Sequence, residues 1–194
     1  MPRSAQTMLA SIPWERALGF TGHRPEKLPT GAKLDGLQQA LYYQIRCAVD
    51  RGFTHFLTGL ADGIDYYAAN YLFHLRREQP EIRVIGIQPC KDYESFFCRC
   101  GYNLSHLHLM TQNVDELIVL PGSAKDKGIF LKRDRILVDS ASCIIAVCRD
   151  GRSGSMYTLN YTRRAGIPFC RIYPEMPDGS IPPPEKWLTE QVGF

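Results

Sequence analysis

FLTGLADGIDYYAANYL, residues 56–72, runs from a short apolar strand through a turn carrying Gly59 and Gly63 into a stretch of helical spacing. So direct a passage from strand to helix is the first half of a strand–helix–strand unit. Apolar runs bounded by glycine or proline recur around it: ALGFTG (17–22), RVIGIQP (83–89), ELIVLP (116–121), SCIIAVC (142–148) and IPFCRIYP (167–174). Helical spacing fills intervals between them, as in residues 34–52 and 155–166. The strands are continuously apolar rather than alternating, so both of their faces are expected to be covered. The class is α/β: an open, mainly parallel sheet with helices on both faces. Ligands of such sheets sit outside the carboxyl ends of the strands, where chain order reverses.

Composition allows one sizeable core in 194 residues, with 44% hydrophobic and 22% charged side chains. A net charge of +3 does not by itself announce nucleic acid. The seven cysteines are an odd number scattered among strands and helices, which fits reduced, packed thiols better than a disulfide framework. No apolar run reaches membrane-helix length, and the opening MPRSAQTMLASIPWERA lacks a continuous apolar segment. The expectation is a cytoplasmic protein with no membrane association. Residues 1–174 read as one domain and 175–194 as a proline-rich appendage packed on it, with Trp187 as its anchor.

Three loops after strands carry the candidate chemistry. In the 56–72 stretch, Gly59 and Gly63 let backbone approach a ligand, and the first helical turn offers amides to an anion. The glycine spacing is neither a dinucleotide fingerprint nor a P-loop, and a structural alternative has Asp62 or Asp65 capping the helix. In RDGRSGSMYT, residues 149–158, Gly151, Gly154 and Ser155 lead into a second helix. Its Gly-x-Ser-Gly-Ser order breaks the nucleophile-elbow pattern and removes a serine hydrolase. In LGFTGHRPEKLP, residues 18–29, Thr21, Gly22, His23 and Arg24 stand at a strand tip stiffened by Pro25 and Pro29. This loop reads as a recognition arm, with the next helix starting near Leu34 or Asp35.

A fourth contribution comes from FLKRDRILVDSAS, residues 130–142. Arg135 and Asp139 are spaced for a surface ion pair, which leaves Arg133 to reach into a cleft and hold phosphate or carboxylate. CRCGYNLSHLHL, residues 98–109, collects Cys98, Cys100, His106 and His108, but its C-x-C and H-x-H spacings suit packing better than zinc, and no metal is assigned. His55 and His74 read as flanking residues of secondary structure.

Taken together, FTGHRPEKLP, LTGLADGIDYYAA, LKRDRILVDSASCIIAVCRDG and GSMYTLNYTRRAG resemble the YpsA-like branch of the SLOG superfamily, from about Gly19 to Pro174. The superfamily also holds DprA and the LOG phosphoribohydrolases. The resemblance implies a Rossmann-like sheet binding a nucleotide or nucleotide-derived ligand, with backbone near Gly22, Gly59, Gly63, Gly154 and Ser155 on phosphate and Arg24 and Arg133 neutralising charge. Asp65 would take ribose hydroxyls. LOG enzymes cleave an N-glycosidic bond with an arginine, matched by Arg133, and a glutamate, where this chain has Thr158; threonine cannot supply that carboxylate. Catalysis therefore rests on weak candidates, Arg133, Asp65 and His23, with Asp62 or Asp139 as other substitutes for the carboxylate. DprA-like single-stranded DNA binding ranks below a small nucleotide, although Tyr66, Tyr67, Tyr71, Tyr157 and Tyr161 offer ring faces. No cofactor is required, and homo-oligomerisation is left open.

Overall fold

A computed structural model of the chain describes residues 5–174. In chain order the elements are α1 (Ala5–Ala10), β1 (Ala17–Gly22), α2 (Ala32–Asp50), β2 (His55–Thr58), α3 (Ile64–Leu75), β3 (Arg83–Gln88), α4 (Tyr93–Arg99), α5 (Leu104–Asn113), β4 (Glu116–Val119), α6 (Ile129–Asp139), β5 (Cys143–Val147), α7 (Gly154–Arg164) and β6 (Phe169–Ile172). Each apolar run singled out in the sequence contains one of the strands. The proline-rich segment with Trp187 lies outside the described residues.

The six strands pair in the order β4-β3-β2-β1-β5-β6, and every pairing is parallel, so the sheet is wholly rather than mainly parallel. The chain steps outward from β1 to β4, then returns to the other side of β1 to lay down β5 and β6. Order therefore reverses between β1 and β5, whose ends lie level, with Gly22 opposite Val147. At such a reversal neighbouring loops diverge to opposite faces and leave a crevice.

Alternate residues of each strand feed two separate cores. Leu18, Phe20, Phe56, Val84 and Ile145 meet Leu41 and Ile45 of α2, Leu72 of α3 and Phe97 of α4. Ala17, Leu57, Ile85, Ile144 and Ala146 meet Leu137 and Val138 of α6 and Leu159 of α7. At about 25 cal/mol per Å² of apolar surface, covering both faces is the main stabilisation of such a fold. Gly19 lets α6 lie close on β1: a Cβ there would come 2.5 Å from Leu137 Cδ2. That contact seats α6 against the sheet one helical turn after Arg133.

The helix after the first loop begins at Ala32, two residues before the expected start. Gly31 supplies a φ of +59° at its N-cap, and Pro25–Lys27 forms a short 3-10 turn. Arg24 is extended (φ −77°, ψ 164°), the geometry that a following proline favours. Among the described residues no helix is long and apolar enough to cross a membrane.

Candidate functional site

Outside the carboxyl ends of β1, β2 and β5 lies a cavity of about 310 Å³. Nine of the residues singled out in the sequence line it: Thr21, Gly22, His23, Arg24, Gly59, Asp65, Arg133, Gly154 and Ser155. The loops after β1, β2 and β5 thus meet at one place. Asp62, Gly63 and Gly151 are outside this lining, while Glu26, Lys27, Tyr102, Phe130, Asp134 and Ser153 join it.

His23 ties the three loops together. Its backbone N–H donates to the Val147 carbonyl at 3.0 Å, and its carbonyl accepts from the Ile64 N–H at 3.3 Å. Its Nε2 lies 2.9 Å from the Arg149 backbone N–H and therefore accepts, which leaves the proton of the neutral ring on Nδ1. Nδ1 stands 3.2 Å from the Ser155 hydroxyl and donates to it. Burial, reinforced by Lys27, Arg149 and Arg171, pushes the imidazole down to about 4, so it is neutral at physiological pH. The sequence reading had this loop as a recognition arm. The structure instead directs both nitrogens to protein partners, and His23 orients the groups that face the cavity.

That bond has a consequence for Ser155. Its oxygen accepts from His23, so its own hydrogen is available to another acceptor, and it sits in the first turn of α7 beside Gly154. The Ser153 side chain caps this helix by accepting from the Met156 N–H at 3.1 Å. The Gly154 and Ser155 amides precede the point at which intrahelical bonding begins. Together these donors make the cavity side of α7 an anion-favouring surface.

Arg133 is 5% exposed and enters from the opposite wall. Its Nη1 donates to the Gly59 carbonyl, and its Nε donates to Asp134 Oδ1 at 2.7 Å. Burial works against its charge, but Asp134, Tyr93 and Asp65 outweigh that effect and raise its pKa. Asp134 Oδ2 lies 3.2 Å from the hydroxyl of Thr158. A carboxylate of α6 thus stands beside Thr158. On the same helix Arg135 donates to the Tyr157 hydroxyl, and Asp139 accepts from Tyr161 at 2.9 Å, both on the exposed face.

The β2–α3 turn is held by its own groups. Leu60 adopts a φ of +58°, a left-handed conformation costing on the order of 1 kcal/mol for a non-glycine residue. Its N–H donates to the Thr58 hydroxyl at 3.1 Å, and its carbonyl accepts from Tyr93 at 3.3 Å. Asp65 turns back beneath the loop, accepting from the Ala61 N–H at 3.3 Å and the Thr58 hydroxyl at 3.4 Å. Its burial raises the carboxyl pKa, opposed by Arg133 and the Ala61 amide.

Asp62 does something the sequence did not disclose. Oδ1 accepts from the Gly63 N–H at 2.9 Å and from His106 Nδ1 at 2.8 Å, while Oδ2 accepts from the Asn103 N–H at 2.9 Å. Asp62 thereby fastens the α4–α5 connection, whose Tyr102 forms a wall of the cavity. The Arg24 guanidinium lies 4.3 Å from the centre of that ring, with its Nη1 buried and without a hydrogen-bond partner among the described residues. His106 stacks on Tyr66 at 3.6 Å, His108 pairs with Glu94 at 3.1 Å, and Cys98 and Cys100 are exposed. Among the described residues no three His, Cys, Asp or Glu side chains gather as metal ligands.

Residues 18–165 match the family model YpsA, described as the YspA SLOG family. The chain belongs to the YspA SLOG family. Curated proteins provide no match to it. Among solved structures, DNA processing protein A from Helicobacter pylori, described with a single-stranded DNA binding mode, superposes with a TM-score of 0.53 at 21% identity, over 85% of this chain and 67% of that one. DNA processing protein A (DprA) from Streptococcus pneumoniae gives 0.54 at 18% identity, over 88% of this chain and 54% of its own. The YspA SLOG chain thus spans about half the length of the streptococcal protein. These likenesses show the shared α/β fold.

Proposed function

We propose that this YspA SLOG family member holds a nucleotide or nucleotide-derived, phosphate-bearing ligand at the carboxyl edge of its sheet, as a binding or sensing protein. One observation carries the reading. The cavity at the β1/β5 reversal brings the first turn of α7, the Ser155 hydroxyl and the guanidinium groups of Arg24 and Arg133 into one lining. Thermal unfolding of the full chain with and without phosphate compounds tests it: at 100 times its dissociation constant, ligand adds about 2.7 kcal/mol. No shift with any phosphate compound would sink the reading.

A second reading is hydrolysis of an N-glycosidic bond in such a ligand, and Asp65 and Asp134 favour it. Both carboxyls line the cavity with Arg133, and burial shifts Asp65 toward the protonated form that a general acid requires. Release of free base or ribose phosphate, abolished in Asp65→Asn or Asp134→Asn, is expected of this reading. DNA binding has less support. Tyr66 and Tyr71 each have one face stacked, on His106 and Tyr42, and none of Tyr66, Tyr67, Tyr71, Tyr157 and Tyr161 lines the cavity.

A further inference from the structure

The expectation of packed thiols fails at two positions. Of the seven cysteines, all among the described residues, only Cys98 and Cys100 are exposed; Cys47 is half-buried, and Cys90, Cys143, Cys148 and Cys170 are buried. Burial pushes the four interior thiols up, which keeps them protonated and unreactive. The accessible sulfur of the chain is therefore gathered on one segment, the carboxyl end of α4.

That segment is built as a cap. Gly101 adopts a φ of +69°, the left-handed conformation that ends many helices. Its N–H donates to the Cys98 carbonyl at 3.0 Å, and the Tyr102 N–H donates to the Phe97 carbonyl at 3.2 Å, which satisfies two of the open carbonyls at the end of α4. The Tyr102 ring meets the Phe97 ring edge to face, with centres 5.3 Å apart, the apolar contact that accompanies this cap. The same Tyr102 ring carries the Arg24 guanidinium on the cavity wall at 4.3 Å. Just beyond it, Asp62 holds the Asn103 N–H at 2.9 Å. Cys98 and Cys100 thus sit in the turn that seats Tyr102.

As two thiols they fit this backbone; as a disulfide they do not. Cys98 lies within α4 and Cys100 continues it in helical geometry (φ −83°, ψ −4°), and side chains two residues apart on a helix point about 200° apart around its axis. A disulfide needs its Cβ atoms about 3.5–4.5 Å apart. Joining the sulfurs therefore unwinds the last turn and breaks the bonds that the Gly101 and Tyr102 amides make to α4. With Asn103 fastened to Asp62, the displacement falls on Gly101 and Tyr102.

We propose that Cys98 and Cys100 form a redox switch: oxidation by hydrogen peroxide to an intramolecular disulfide undoes the cap of α4 and releases Tyr102 from Phe97 and from Arg24 on the cavity wall. Its bearing on binding rests on the reading of that cavity as a ligand site. One thiolate attacks the O–O bond, forming a sulfenic acid and releasing water; the second sulfur then displaces the hydroxyl from the sulfenic sulfur, forming the S–S bond and a second water. The two thiols lose two electrons and two protons, and the peroxide is reduced. A disulfide held off its preferred geometry is easily reduced, so exchange with a dithiol restores the cap.

Arg99 lies between the two cysteines, so trypsin separates them unless a disulfide joins the fragments. The full chain is treated with hydrogen peroxide, digested without reductant, and followed by amide hydrogen exchange before and after treatment. The expected product is a linked pair of peptides, one ending at Arg99 and one beginning at Cys100. The Gly101 and Tyr102 amides should exchange roughly tenfold faster or more than in the reduced chain and recover after dithiothreitol. Cys98→Ser and Cys100→Ser, both at exposed positions, should give no linked pair and keep the exchange of the reduced chain under peroxide. Absence of the linked pair, linkage between two chains, or a linked pair that leaves these amides protected overturns the switch. A linked pair with faster exchange, in a protein whose thermal stability responds to no phosphate compound in either redox state, upholds the switch and overturns the phosphate reading alone.

Discussion

The β2–α3 and β5–α7 turns look alike in sequence: each places glycines between an apolar strand and a helix, and each invites the same assignment as a phosphate cradle. In space they differ. Around the first, the room a glycine leaves is filled by protein: a Cβ on Gly59 would fall on the Arg133 guanidinium, and one on Gly63 would come 2.6 Å from the His23 carbonyl oxygen. Around the second, a Cβ on Gly154 would meet nothing within 4 Å. One turn is a keystone for internal contacts, and the other keeps its amides facing an open cavity. Glycine spacing reports close approach of something to the backbone; only the fold tells whether that something is the protein itself.

Substitutions can break this contrast, and Gly59 offers the largest effect. Gly59→Ala drives its methyl against the Arg133 guanidinium and displaces it from the Gly59 carbonyl; the overpacking and the lost charge-assisted hydrogen bond together cost about 2–3 kcal/mol. Denaturant unfolding should show a loss of that order, with the phosphate-dependent thermal shift abolished. A loss below about 1 kcal/mol would mean that the turn is not locked as described.

Acid comes next. His23 has a folded pKa of about 4 against an ordinary 6.5, so between these values the unfolded chain binds the proton more readily. Its contribution is present in full above pH 6.5 and is lost as pH falls toward 4, a change on the order of 2 kcal/mol once solvent screening is allowed for. Unfolding curves across that window should be steeper in the wild type than in His23→Gln; parallel profiles would contradict the buried neutral tautomer.

Gly63→Ala should cost about 2 kcal/mol, because its φ of +91° disfavours a side chain and the His23 carbonyl blocks the new methyl. The smallest effect on stability belongs to Gly154→Ala. With open space and helical backbone, stability should stay within about 0.5 kcal/mol of wild type or rise slightly. Calorimetry on the same variant should nonetheless show weaker phosphate binding, since the methyl projects beside the amides that face the cavity. If Gly59→Ala and Gly154→Ala behaved alike in both measurements, the distinction between the turns would collapse.

Much of the fold was legible in the residues. Continuous apolar strands such as CIIAV and RVIGIQ need cover on both faces, and their alternation with helical stretches makes a parallel sheet with helices on each side the way to supply it. The family resemblance also marked Arg133 and the three loops. Other features escaped because the deciding contacts are distant in sequence. Asp62 resembles a helix cap until α5 brings His106 to its carboxylate, 44 residues away. Tyr102 reaches the cavity from the connection before α5, and no periodicity marks it. Asp134 lay hidden beside Arg133, where adjacent helical positions normally point in different directions; the long guanidinium folds back to meet it. His23 attracted a functional reading for its chemistry, whereas its neighbours at Arg149 and Ser155 make it the tie between loops.

The most direct test of a phosphate-binding cavity at the β1/β5 reversal is mass spectrometry of small molecules released from the purified full-length chain, compared with Arg24→Met prepared in parallel. A phosphate-containing compound carried by the wild type and lost from the variant is the predicted result. A wild-type protein that carries no such compound and gains no thermal stability from any phosphate compound would contradict it.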